Sequence, residues 1–155
     1  VTVVVWRIVQ RRRESSAFDG EGAARAPGRW NREGTPMVYT AGSLALAALE
    51  ILANLPDEQL ARQPFVAIPA AFDETLVLRI DAAALPLKWS SYPAPPATKD
   101  LGTQWVKAAA SAVLAVPSAI VPIDLNYLIN PRHPDFSKIS IGKPETFAFD
   151  QRLLG

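Results

Sequence analysis

A chain of 155 residues is the size of one ordinary domain, and 49% hydrophobic against 20% charged side chains drives it to fold rather than stay extended. Sixteen basic and fifteen acidic residues leave a formal net charge of +1, too little to hold a nucleic acid or an anionic membrane surface. The absence of cysteine and the presence of a single histidine exclude disulfides, thiol catalysis and an ordinary zinc site, so a metal would need carboxylates alone; a cytoplasmic address fits.

The chain opens on Val1-Thr2-Val3-Val4-Val5-Trp6, β-branched and aromatic, which predicts a strand; no basic leader precedes it, and Arg7 comes too soon for a secretory signal. From Arg11 to Gly34 the sequence is polar and carries four glycines, which predicts mostly loop. Its basic run, Arg11, Arg12 and Arg13, reads as solvated loop charge. Gly20-Glu21-Gly22 is half a dinucleotide fingerprint, but the third glycine and the strand-to-helix context are missing, which excludes a Rossmann site; no Walker phosphate loop exists. Met37 to Thr40 predicts a second short strand.

Ser43 then offers an N-cap to a helix over Leu44 to Leu55 that stops at Pro56. It is apolar almost all round, which predicts a buried helix. Phe65 to Ile68 and Thr75 to Ile80 predict strands, Ser90 to Pro96 a rigid proline-rich loop, and Gly102 to Ala110 a helix. Ala112 to Ile123 is apolar with two prolines, which suits an edge strand or a strand running into a loop. Lys138 to Ile141 and Thr146 to Phe149 close the chain as short strands, with Gly142 and Pro144 turning between them. No apolar run approaches the roughly 20 residues of a membrane span. The sum is an α+β fold in a single domain over residues 1–155.

Four side chains look chemically out of place. Glu50 lies within Leu46-Ala47-Ala48-Leu49-Glu50-Ile51-Leu52, where a buried carboxylate needs a cation or several donors; otherwise it shares a narrow polar stripe with Asn54. Arg29, in Gly28-Arg29-Trp30-Asn31, presents a planar fork suited to a carboxylate or a diphosphate, or else bridges loop to helix. Arg7, beside Trp6, has the same two readings. Ser118, after Pro117, reads as nucleophile, ligand-binding hydroxyl or turn residue. Without a Gly-x-Ser-x-Gly elbow, a triad of Ser118, His133 and Asp135 has little support, and His133 reads as a loop fastener.

Several strings, in their order and spacing, resemble one family. They are Trp6-Arg7-Ile8, Phe18-Asp19-Gly20-Glu21-Gly22-Ala23, Gly28-Arg29-Trp30-Asn31, Gly34-Thr35-Pro36-Met37-Val38-Tyr39-Thr40, Ser43-Leu44-Ala45-Leu46 with Glu50, Val116-Pro117-Ser118, Asn126-Tyr127-Leu128-Ile129-Asn130-Pro131 and Phe149-Asp150-Gln151-Arg152-Leu153. The chain is similar over nearly its whole length to the RES-domain family, toxin components of bacterial toxin–antitoxin pairs named for an arginine, a glutamate and a serine. The matching residues are Arg29, Glu50 and Ser118. Ala23 to Pro27 departs from the pattern, lacking a second basic residue and a glycine.

The resemblance implies an ADP-ribosyltransferase-like fold, a mixed and largely antiparallel split sheet around a cleft for NAD+, which is the substrate, with no metal. It implies Arg29, Tyr39 and Glu50 as catalytic residues, and Arg7, Arg29, Tyr39 and Ser118 as NAD+-binding residues. In this scheme Glu50, kept ionised by nearby guanidinium groups, faces positive charge building on the ribose, and Tyr39 stacks on nicotinamide. Arg7 and Arg29 grip the diphosphate or the ribose hydroxyls, and Ser118 donates an orienting hydrogen bond. Water, phosphate or a protein side chain is the acceptor, with NAD+ depletion favoured over protein modification. The implied partner is an Xre-type antitoxin that covers the cleft, and a homodimer is compatible with the resemblance. A non-catalytic interaction module and a serine hydrolase are the competing readings.

Overall fold

A computed structural model describes residues 1–155. Strand β1 (Thr2–Gln10) extends the predicted strand by four residues and pairs along its whole length with β3 (Phe65–Asp73), antiparallel. The polar stretch between β1 and β2 (Val38–Ala41) is loop apart from a 3-10 turn, Arg11–Ser16, and a five-residue helix α1 (Glu21–Arg25). Helix α2 (Leu44–Asn54) starts where the Ser43 hydroxyl accepts a hydrogen bond from the Leu46 amide at 3.1 Å.

Beyond β3 the chain forms β4 (Val77–Arg79), helix α3 (Pro96–Ala108), β5 (Val113–Pro117), β6 (Leu125–Ile129), β7 (Ser140–Ile141) and β8 (Glu145–Phe147). The sheet runs β4-β5-β6-β2-β1-β3-β7, with β8 also on β3. Only β4 and β5 run parallel; the fold is therefore α+β with a mixed, mostly antiparallel sheet.

At its centre the sheet is nearly divided. β1 and β2 share a single paired position, Trp6 with Ala41. Beyond it the Arg7 guanidinium spans the gap, donating from Nη1 to the Tyr39 carbonyl at 3.0 Å and from Nε to the Ala17 carbonyl at 2.6 Å. A side chain thus supplies donors where the strand ladder stops.

Alternation along the strands gives each face its own core. One face carries Val5, Val9, Val38, Val66, Ile68, Ala70, Phe72, Val113 and Ile129 in one cluster. The opposite face carries two clusters side by side. Ile8, Ala41, Phe65 and Ala67 pack against Leu46 and Ala47 of α2, while Met37, Leu114, Val116 and Leu128 pack against Trp30 and Trp105 of α3. Gly102 lets α3 come this close, because a β-carbon there would overlap the carbonyl oxygen of Trp30.

Several elements depart from expectation. Helix α2 is docked on one face rather than enclosed: Leu46 and Ala47 are buried, Ala45 and Ala53 are exposed, and Leu49 is 43% exposed. Its alanines favour the helical backbone without requiring burial, and the sheet covers only one side. Helix α3 begins at Pro96, inside the stretch expected to be loop, because proline is pre-shaped for the first helical position. β5 is an interior strand, every residue buried; Pro117 is tolerated because it ends the ladder. β6 was not expected at all, and β7 and β8 each pair with β3.

Candidate active site

A cleft of about 880 Å³ opens on the two-cluster face, where β1 and β2 diverge, within the roughly 300–1,000 Å³ typical of ligand pockets. Its floor is Trp6, Arg7 and Ile8 of β1 with Tyr39, Thr40 and Ala41 of β2. α2 forms one wall with Glu50, Ile51 and Asn54, joined by Ala119 and Ile120 from beyond β5. The other wall is the Gly28–Trp30 turn, the Ser90–Ala94 segment and Lys99 of α3.

Glu50 is half-buried on the cleft side of α2. Its carboxylate Oε2 accepts a hydrogen bond from the Ser118 hydroxyl at 2.9 Å. Ser118 is 0% exposed, and its oxygen also accepts from the amides of Ile120 and Val121, each at 3.1 Å. The hydroxyl proton is thereby aimed at Glu50, and Ser118 stands behind the carboxylate instead of in the cleft. The polar-stripe reading of Glu50 survives in one bond, Asn54 Nδ2 to the Glu50 backbone carbonyl at 2.8 Å.

Direct guanidinium pairing of Glu50 is not what the molecule contains: none of its ion pairs includes Glu50, Arg7, Arg29 or Lys99. The link to Arg29 is through space. Burial pulls the Arg29 guanidinium below the usual arginine range, and the charge of Glu50 pushes it back up.

Arg29 Nη1 donates to the carbonyls of Trp89 at 2.9 Å and Ser91 at 2.7 Å, so it both bridges loop to loop and presents its remaining edge to the cleft. Arg7 is held in the floor by the two carbonyls already described, and burial lowers it to about 10 despite the favourable charge of Asp19. Tyr39 is fixed by its hydroxyl, which donates to Asn31 Oδ1 at 2.7 Å and accepts from the Trp30 amide at 2.9 Å. Burial raises its ionisation well above that of a free tyrosine, so it works as a neutral ring. Gly28 allows this fit: a β-carbon there would lie 2.7 Å from the Tyr39 hydroxyl.

Two residues matter here that sequence reasoning gave no role. Asn31, 0% exposed, ties the Gly28 amide and the Tyr39 hydroxyl to one oxygen, and donates to the carbonyls of Ala23, Arg32 and Thr35. Its sequence signal is its place in the Gly28-Arg29-Trp30-Asn31 string. Lys99 donates to the Gly28 carbonyl at 2.7 Å and lines the cleft; recognising Pro96 as a helix start would have put it on the first turn of α3.

The hydrolase triad is not assembled. The Ser118 hydroxyl is bonded to Glu50, whereas His133 Nε2 lies 3.1 Å from the Ala109 carbonyl and Nδ1 accepts from the Asp135 amide at 3.0 Å, a loop fastener as expected. No three His, Asp or Glu side chains converge to hold a metal.

The RES domain family model matches residues 4–150. A protein of Yersinia enterocolitica serotype O:8 named Toxin Res is 38% identical over 152 residues, covering 97% of this chain and 99% of its own length. A Sphingobium protein named Prs ADP-ribosylating toxin is 37% identical over 158 residues, covering 99% and 98%. In three dimensions, a chain of the M. tuberculosis MbcT-MbcA toxin–antitoxin complex superposes with a TM-score of 0.76 at 16% identity, over 96% of this chain and 85% of that one. The last likeness speaks for the fold.

Proposed function

This chain belongs to the RES domain family, and from that premise we propose that residues 1–155 form a single toxin domain that breaks the bond between nicotinamide and ribose in NAD+. Its partner, on this reading, is an Xre-type antitoxin that covers the cleft. The observation that carries the proposal is Glu50, the cleft's one carboxylate, aimed by a buried serine across the cleft from Arg29 and Lys99.

Breaking the glycosidic bond sends its electron pair to the nicotinamide nitrogen, which leaves as a neutral ring, while positive charge gathers on the ribose. A fixed carboxylate lowers the energy of that state more than of the ground state. Glu50 supplies the charge, and Tyr39, locked by Asn31 and Trp30, offers a ring against which nicotinamide is oriented. Arg29 and Arg7 keep donors for phosphate or ribose oxygens. Ser118 acts by positioning Glu50, a change from the direct NAD+ contact that the family resemblance implied.

Addition of water gives ADP-ribose and a proton; addition of phosphate gives a phosphorylated ADP-ribose. Either depletes NAD+, the outcome favoured here. A second reading, transfer of ADP-ribose to a protein side chain, is supported by the name of the Sphingobium relative. Incubation of the purified chain with NAD+ is expected to release nicotinamide, and product masses recorded with and without phosphate identify the acceptor. If nicotinamide stays bound in NAD+ in every mixture, including one with candidate protein acceptors, the interaction-module reading takes its place.

Ser118→Ala gives a graded test of positioning. Losing one hydrogen bond to a charged group, worth about 1.5–3 kcal/mol, is expected to lower kcat by roughly tenfold or more with KM little changed. An equal rise in KM would put Ser118 on the substrate itself.

A further inference from the structure

Opposite Glu50, the cleft holds two cations that no carboxylate contacts directly. Arg29 comes from the Gly28–Trp30 turn and Lys99 from the first turn of α3, and neither enters an ion pair. Their neighbour Arg32, by contrast, is paired with Asp100 at 2.7 Å. The Lys99 ammonium is fastened to the Gly28 carbonyl, the residue next to Arg29, so it cannot swing out to water without breaking that bond. Burial, then the charges of Arg32 and Arg29, lowers its proton affinity below that of an ordinary lysine. Holding half-buried like charges side by side is unfavourable unless an anion lies between them.

The charge of the whole cleft has the same sense. Arg7, Arg29 and Lys99 against Glu50 leave two positive charges, matching the two negative charges of a diphosphate bridge. Arg7 is the least adaptable of the three, with Nε and Nη1 already bound to backbone carbonyls in the floor. Lys99 has two further N–H groups beyond the one used on Gly28.

We propose that Lys99, together with the remaining edge of Arg29, is the diphosphate grip of the cleft, and that it sets substrate orientation by anchoring the phosphates on the α3 wall while the ribose–nicotinamide bond lies toward Glu50. This rests on the reading of the cleft as an NAD+ site. The same cations would also suit inorganic phosphate as acceptor, and the test separates the two sources.

The full chain and its Lys99→Met and Lys99→Arg variants are titrated calorimetrically with ADP-ribose, and with inorganic phosphate in the presence and absence of saturating ADP-ribose; NAD+ turnover is measured in parallel. Lys99→Met is expected to weaken ADP-ribose binding about tenfold or more, equivalent to about 1.4 kcal/mol, and to flatten its dependence on salt. KM for NAD+ should rise by a similar factor with kcat within about twofold, and Lys99→Arg should recover most of the affinity. Unchanged ADP-ribose affinity in Lys99→Met, or a fall in kcat with affinity intact, overturns the proposal while leaving the NAD+ reading in place. Lys99-dependent phosphate binding that persists under saturating ADP-ribose also overturns it, assigning the lysine to the acceptor. A wild-type chain that binds neither ADP-ribose nor NAD+ removes the NAD+ reading, and the proposal with it.

Discussion

Glu50→Gln is expected to cut nicotinamide release from NAD+ by about 10²–10³-fold, the usual cost of deleting one preorganised electrostatic contact to a transition state. Glutamine keeps the shape of the side chain and an oxygen that can accept from Ser118, so the substitution removes charge and little else. Thermal stability should therefore stay close to that of the parent, because a half-exposed position on a docked helix face carries little of the core. Expression of the variant without antitoxin should no longer arrest growth. Turnover at the parental rate by a folded Glu50→Gln chain would leave the proposed chemistry without its charge.

A change at Asn31 should act through the fold. Alanine at this fully buried position strands the Gly28 amide, the Tyr39 hydroxyl and the carbonyls that Nδ2 now serves. An unsatisfied buried group costs about 1–3 kcal/mol; with some relieved by entering water, a total of about 3 kcal/mol is expected. For a chain of this length that lowers Tm by roughly 6–12 °C. Asn31→Asp should be no milder, since it retains the acceptor but turns a carboxylate toward carbonyl oxygens. Both should raise KM, because the Tyr39 ring and the Arg29 turn share this one anchor. Denaturant unfolding of the two variants checks the expectation; a loss below about 0.5 kcal/mol in each would mean that Asn31 is not the hub its bonds imply.

The elements legible in the sequence are those with a local cause. The β-branched run at the start, the Ser43 cap and the polar stretch rich in glycine each act within a few residues. What escaped has a tertiary cause. Leu125-Asn126-Tyr127-Leu128-Ile129 shows no clean alternation, and it becomes a strand because β2 and β5 pair with it from both sides. α2 read as buried because its composition is apolar, but composition does not say how many of its sides will meet a partner. At the site, the residue types of the arginine, glutamate, serine set were visible, yet the Ser118–Glu50 bond joins positions 68 residues apart and exists only because the end of β5 reaches α2. Lys99 was hidden by the prolines before it, which mark a loop and a helix start equally well.

The single Trp6–Ala41 pair has a consequence for how such a domain changes over time. Each wall of the cleft rests on its own packed cluster, one around α2 and the other around Trp30 and α3, with little ladder joining them. If the cleft takes NAD+ as proposed, repacking on the α3 side should shift how tightly the dinucleotide is retained, while repacking beneath α2 should shift how fast it is broken. On the proposed NAD+ reading, a scaffold built this way would let substrate retention vary with less change in the rate of bond breaking.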